Sequence, residues 1–129
     1  MQNSNKYLLE TDILVDHLCN EKNKSSFLIE LMQKGICYTT VINASELFFA
    51  AISDDEIKNV QQVLTAMKVL GLNSRYSLAI SRYSQKVGNV REALFVAVAH
   101  INNLPVVTFN VNKFRETKLK VFHPQDIRG

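Results

Sequence analysis

Short apolar segments suited to β-strands alternate with helical segments along the sequence, and this alternation restricts the fold more than any other feature. The strand candidates are residues 7–9, 36–40, 105–108 and 119–122. Between them, apolar residues recur at helical spacing. Strands that alternate with helices form βαβ units, whose crossovers place the strands in a parallel sheet. We therefore predict an α/β fold with a short, mostly parallel sheet flanked by helices.

The composition agrees with this prediction. The 129 residues are enough for one domain, which we place over residues 1–129, and 47% of them are hydrophobic. Four glycines and two prolines are too few for an all-β chain with many tight turns. The net charge of +3 does not by itself predict a polyanionic partner. Cys19 and Cys37 lie in apolar stretches without zinc-type spacing, so we expect both thiols to be reduced and buried.

The N-terminus lacks the pattern of a signal peptide, and no apolar run approaches the roughly 18 residues that cross a membrane. We therefore expect a cytoplasmic protein with no membrane contact.

Capping residues and glycines predict where helices begin and end. Thr11 or Asp12 is the predicted cap of the first helix, and a polar turn is expected over residues 21–25. The apolar spacing after Ser53 predicts a helix that continues through Leu70.

Three glutamates lie beyond the carboxyl ends of the predicted strands, which is where parallel sheets bind their ligands. Glu10 directly follows the first strand, and Glu46 lies one turn into the helix after the second. Glu92 precedes the apolar run 93–99, which predicts a helix buried on all sides.

Carboxylates in such apolar surroundings need partners, because burying an unpaired charge costs several kcal/mol. A divalent cation would also relieve their mutual repulsion, and carboxylates suit Mg²⁺ or Mn²⁺. A simpler interpretation stays open for each residue. Glu10 is then a solvent-facing charge at a strand end, and Glu46 and Glu92 are first-turn glutamates that the helix dipole favours.

Four segments resemble the PIN domain, most closely the VapC-type toxins of bacterial and archaeal toxin–antitoxin pairs. They are residues 7–16, 39–47, 92–99 and 104–114, and residues 119–124 resemble the family's last strand. The resemblance covers nearly the whole chain in the right order. It implies a PIN-like three-layer α/β/α sandwich.

The resemblance also implies a function and a set of site residues. Members of the family bind magnesium or manganese and cleave RNA, which implies a metal-dependent endoribonuclease, the toxin of a toxin–antitoxin pair. Glu10, Glu46 and Glu92 match the family's metal ligands. Asn110 falls where a fourth acidic or amide residue sits, and Thr108 matches a threonine or serine.

The sequence departs from the family at Glu10 and Glu92, where aspartate is usual. The extra methylene moves a ligand oxygen by about an ångström, and Mg²⁺ is demanding about geometry. A misplacement of that size can cost about a hundredfold in rate. The alternative function is therefore a PIN-like module with weakened or lost activity that binds RNA or protein. A phosphatase or receiver-like domain is disfavoured, because the order of the motifs does not supply its nucleophilic aspartate.

Four further residues surround the predicted ligands. Asp12, which occupies a frequent asparagine or aspartate position of the family, is either a helix cap or an acceptor behind the ligands. Lys113, Arg115 and Lys118 are close enough in sequence to guide an RNA backbone towards the site. Their alternative is a solvated basic loop.

The resemblance implies protein partners as well. VapC-type proteins commonly form homodimers and bind the C-terminal segment of an antitoxin in a groove near the site. Apolar residues on the helices after Glu46 are candidates for these contacts, with core packing as the alternative: Phe48, Phe49, Ile52, Ile57 and Val60.

Overall fold

The computed structural model describes residues 5–20 and 25–127, so the turn expected over residues 21–25 lies almost entirely outside the described residues. Five strands form one sheet in the order β3-β2-β1-β4-β5. Every neighbouring pair is parallel. The strands are β1 (Asn5–Leu9), β2 (Gly35–Thr40), β3 (Lys68–Leu70), β4 (Val106–Val107) and β5 (Val121–Phe122).

Helices cover both faces of the sheet, which confirms the predicted α/β/α sandwich. They are α1 (Thr11–Leu18), α2 (Phe27–Lys34), α3 (Val41–Ala50), α4 (Asp54–Thr65), α5 (Ser74–Ala79), α6 (Val90–Ile101) and α7 (Pro124–Ile127). Two 3₁₀ segments, η1 (Ile80–Tyr83) and η2 (Val111–Thr117), connect elements near the second half of the sheet. None of the helices in the described ranges is long and apolar enough to cross a membrane.

The core has two parts because successive side chains of β1 point to opposite faces. Leu8 packs against α5 and α6 on one face, where Phe95 and Val96 are fully buried. Tyr7 and Leu9 pack on the other face against α1, α2, α3 and α4. The apolar run of α6 is buried as predicted, from Phe95 to Ala99 without interruption.

The helix predicted through Leu70 is wrong. The helix α4 ends at Thr65, and Lys68–Leu70 instead pairs with β2 as an edge strand. Met67 and Leu70 fit the helical spacing, but tertiary pairing with β2 overrides the local pattern.

Two smaller predictions are also wrong. Neither Thr11 nor Asp12 caps α1, because the cap is the Glu10 carboxylate, which accepts a hydrogen bond from the Thr11 amide. Cys37 is buried but Cys19 is exposed, since Cys19 is the C-cap that follows the last residue of α1. Both cysteines are free thiols.

Gly35 is the residue at which β2 begins, opposite Asn5 of β1. A Cβ atom at this position would lie 2.4 Å from the Asn5 carbonyl oxygen, which is backbone and has no room to move aside. At Gly71, in contrast, a Cβ atom would meet nothing within 4 Å.

We predict that Gly35→Ala lowers the free energy of unfolding by about 1–3 kcal/mol, because the methyl group forces the central strand pair apart. Gly71→Ala is the matched control and should leave stability unchanged or raise it by up to about 1 kcal/mol. Urea denaturation of both variants measures the difference. Equal stabilities would show that β1 and β2 tolerate a wider spacing.

Candidate active site

Glu10 is the centre of the site and lies at the carboxyl end of β1. The residue is only 2% exposed, yet one backbone amide and three side chains satisfy its carboxylate. Oε1 accepts hydrogen bonds from the Thr11 amide at 2.9 Å, from Asn43 Nδ2 at 2.8 Å and from Arg91 Nη2 at 2.7 Å. Oε2 accepts from Arg91 Nη1 at 2.6 Å and from Lys113 Nζ at 3.1 Å.

Glu46 and Glu92 converge on the same place from two other helices. Glu46, in α3 after the carboxyl end of β2, receives Arg91 Nη2 at 2.6 Å and Arg91 Nε at 3.0 Å. Glu92, in the first turn of α6, receives Arg91 Nη1 at 2.8 Å and Lys113 Nζ at 3.2 Å. The three predicted acidic residues are therefore brought together, and they meet around two cations of the same chain.

Local capping explains why these side chains point inward. Thr40 caps α3 and forms a capping box with Asn43, which fixes the first turn of that helix. The Asn43 amide then bridges Glu10 and Thr11, at 2.8 Å from each. The Asn89 side chain caps α6 through the Glu92 amide at 2.9 Å, which places Arg91 and Glu92 at the mouth of the site.

The cations control the ionisation of the carboxyl groups. Burial alone raises the pKa of Glu10, but the hydrogen bonds and positive charge of Arg91 bring it below its ordinary value. The hydrogen bonds from Arg91 are the largest cause that lowers the pKa of Glu46. Burial lowers the pKa of Lys113, but the charges and hydrogen bonds of Glu10 and Glu92 together outweigh burial and raise this pKa. These groups are therefore charged at neutral pH.

A cleft of about 750 Å³ opens onto the site, and Asn110 and Lys113 line it together with the carboxylates. Asn110 is exposed, and its backbone amide donates a hydrogen bond to Thr108 Oγ1 at 3.1 Å. Thr108 is buried and donates to Asp12 Oδ2 at 2.7 Å, and the same oxygen accepts the Phe109 amide at 3.0 Å.

Asp12 therefore fastens the start of α1 to the chain after β4. Its other oxygen, Oδ1, is buried and has no hydrogen-bond partner within residues 5–20 and 25–127. Arg115 and Lys118 are exposed and lie outside the lining of the cleft. Lys113 differs from both, because it contacts the carboxylates directly.

The donor set suits Mg²⁺ or Mn²⁺, since it consists of hard carboxylate oxygens. The space suits such an ion only if Arg91 moves, because the guanidinium group lies where the three carboxylates converge. In the part of the chain that the structure describes, no group of three or more acidic, histidine or cysteine side chains is arranged to hold a metal ion.

Arg91, Asn43 and Thr11 belong to the site but were not predicted from the sequence. Arg91 did leave a signal: a cation in the first turn of a helix opposes the helix dipole and needs nearby carboxylates to offset this. Asn43 left a weaker one, as a polar residue inside the apolar segment 41–44. No pattern pointed to Thr11, whose hydroxyl donates to Glu46 Oε1 at 2.5 Å.

Glu10 should make the stability of the protein sensitive to acid. Its pKa in the folded state lies below its ordinary value of 4.5, so its contribution is complete above that pH and is lost as pH falls through the folded-state pKa. We predict that Glu10→Gln lowers the free energy of unfolding by about 1–3 kcal/mol at pH 7, because charged hydrogen bonds are lost. The gap from wild type should then narrow below about pH 4.5.

Urea denaturation at several pH values measures this gap, with the exposed Glu116→Gln as the control. The control should follow the wild type throughout. A gap for Glu10→Gln that stays constant from pH 7 to pH 3 would contradict the assigned role of Glu10.

The comparisons with known proteins agree with this architecture. The sequence matches the family model of the PIN domain over residues 7–120. No curated protein sequence matches the chain.

Solved structures with the same fold come from toxin–antitoxin complexes. The DNA-bound VapBC of Salmonella typhimurium is 16% identical with a TM-score of 0.78, and the match covers 93% of this chain and 98% of that chain. VapBC2 of Rickettsia felis, bound to a promoter DNA fragment, is 17% identical with a TM-score of 0.76, covering 92% and 98%. A toxin–antitoxin complex from Klebsiella pneumoniae is 16% identical with a TM-score of 0.76, covering 92% and 97%. The family match spans most of the sequence, and the chain belongs to the PIN domain family.

Proposed function

We propose that this chain is an endoribonuclease that acts in the cytoplasm as the toxin of a toxin–antitoxin pair. The observation that carries the proposal is the meeting of Glu10, Glu46 and Glu92 at the carboxyl ends of parallel strands, beside an open cleft. PIN domains are generally nucleases, which supports hydrolysis of a phosphodiester bond. The match covers 98% of the similar chain in each of two VapBC complexes, which supports the toxin role.

In the proposed mechanism, Glu10, Glu46 and Glu92 would hold Mg²⁺ or Mn²⁺, with Arg91 displaced from their centre. A bound divalent ion supplies an activated water molecule and stabilises the charge that develops on the phosphate. Asn110 then presents its amide to water or ligand at the rim of the cleft, because the bond from its backbone amide to Thr108 Oγ1 fixes this turn. Thr108 donates a hydrogen bond to Asp12, so both residues act by holding Asn110 in position.

We assign the basic residues in and directly after η2 to contact with the RNA backbone and to charge balance near it. Arg115 and Lys118 are exposed and free to approach the phosphate backbone outside the cleft. Lys113 lines the cleft and pairs with Glu10 and Glu92, so its part is to balance charge near the scissile phosphate.

Glu46 provides the sharpest test, because its side chain is 41% exposed and its loss should not unfold the protein. We predict that Glu46→Gln reduces manganese-dependent cleavage of single-stranded RNA by at least about a hundredfold, since a ligand charge is removed. Asp55→Asn, an exposed change in α4, should keep the wild-type rate. An undiminished rate in a folded Glu46→Gln protein would refute the mechanism.

A second candidate function is a PIN-like module that binds RNA or protein without cutting. The specific observation in its favour is that Arg91 fills the centre of the carboxylates. This function predicts that purified protein retains RNA in a filter-binding assay and shows no cleavage at millimolar Mg²⁺ or Mn²⁺.

The proposed toxin also needs a surface for its antitoxin. Phe49 and Ile52, at the end of α3, are 94% and 91% exposed, so they are the strongest of the apolar candidates. Phe48 is 37% exposed, and Ile57 is half-buried. Val60 is buried, so core packing accounts for it. An apolar groove of about 230 Å³ is lined by residues of α1, α3 and α4 and includes Ala50 and Ala51, the chain neighbours of Phe49 and Ile52. We propose this face for the antitoxin and for a homodimer contact.

We predict that the gene next to this one encodes a small antitoxin and that Phe49→Ser with Ile52→Ser weakens the complex at least about tenfold, because large exposed anchors carry most of the binding energy. Titration calorimetry with the purified antitoxin measures the affinity. Leu78→Ser, which removes an 81% exposed side chain from α5, is the control and should bind normally. Equal affinity for all three proteins would place the contact elsewhere.

A further inference from the structure

The Arg91 guanidinium group is fully engaged by the candidate site. Nη1 donates to Glu10 Oε2 and Glu92 Oε1, and Nε donates to Glu46 Oε2. Nη2 contacts one oxygen each of Glu10, Glu46 and Thr11, at 2.7, 2.6 and 3.1 Å. A guanidinium group has five N–H donors, so this network uses its whole capacity. A planar, permanently charged group is suited to such a position, because it pairs with several carboxylates at once.

The same network sets the charge of the site. Three carboxylates and the two cations Arg91 and Lys113 leave a net charge of −1, since −3 and +2 sum to −1. Without Arg91, the three carboxylates and Lys113 would carry a net charge of −2. A divalent ion would therefore meet a weakly attractive site when Arg91 is in place, and a strongly attractive one when it is not.

Steric overlap also opposes the binding of a metal ion while Arg91 is in place. Arg91 nitrogens lie 2.6–2.8 Å from one oxygen of each carboxylate, so an ion bound to the same oxygens would overlap the guanidinium group. The Arg91 side chain has room to leave this position, because it is 25% exposed and borders the open cleft. Its backbone lies in the first turn of α6.

We propose that Arg91 is a built-in competitor for the metal ion, so that ion binding and the Arg91–carboxylate pairing exclude each other. The carboxylates bind a divalent cation only when Arg91 swings into the cleft, and Arg91 thereby sets the affinity of the site. This inference rests on the proposed function, which requires the same three glutamates to hold an ion. It assigns Arg91 a regulatory part that substrate contact alone would not explain.

Calorimetric titration with Mn²⁺ alone tests the inference without any measurement of cleavage. Arg91→Gln should bind Mn²⁺ at least about tenfold more tightly than wild type, because a positive charge and its volume are removed from the ion's position. Arg82→Gln is the matched control, since Arg82 is exposed and its loss changes the net charge equally. The control should bind as wild type does.

Arg91→Lys adds a second test, because an ammonium group keeps the charge but cannot bridge three carboxylates. Its Mn²⁺ affinity should lie between those of wild type and Arg91→Gln. If Arg91→Gln folds poorly without metal, its melting temperature should rise with Mn²⁺ far more than that of wild type, since ligands stabilise the state that binds them.

The outcomes separate this inference from the proposed function. Equal Mn²⁺ affinity in wild type and Arg91→Gln overturns the competition and leaves the nuclease function standing. Absence of Mn²⁺ binding in both overturns the two together. Tight Mn²⁺ binding by Arg91→Gln supports the competition, and if that variant still fails to cleave RNA, the nuclease function alone is refuted.

Discussion

The ion pair between Glu10 and Arg91 is the interaction on which the rest of the structure depends. A carboxylate only 2% exposed would destabilise the fold unless it were paired and fully hydrogen-bonded. Its partners come from four places: the start of α1, the first turn of α3, the first turn of α6, and η2. One side chain therefore joins both halves of the sheet's carboxyl edge. The same hydrogen bonds stabilise the fold and hold the site residues in place, so a substitution that disrupts one also disrupts the other.

The sequence pattern was sufficient for the architecture and for the convergence of the three glutamates, because both depend on where the strands end. Glu10, which directly follows a buried strand, and Glu92, which lies in the first turn of a buried helix, are recognisable locally. Glu46 lies in α3 beyond the first turn that the simpler interpretation gave it. The edge strand β3 could not be found, since two of its three residues are exposed, Leu70 continues the helical spacing of α4, and only pairing with β2 makes the segment a strand. Cys19 was misplaced because burial at a helix end depends on what packs there.

What surrounds the carboxylates could not be predicted, because contacts across the sequence decide it. Arg91 is 81 residues from Glu10, and no local pattern relates them. Glu10 and Glu92, the two positions where the resemblance led us to expect aspartate, both contact Arg91.

The unequal environments of the two cysteines make them chemically distinguishable. Burial raises the pKa of the Cys37 thiol to about 12, so at neutral pH it stays protonated and shielded from reagents. Cys19 is exposed and belongs to the lining of the apolar groove between α1, α3 and α4. A maleimide dye would therefore attach at one defined point without any engineered residue. Its fluorescence would report directly on whatever protein covers that groove.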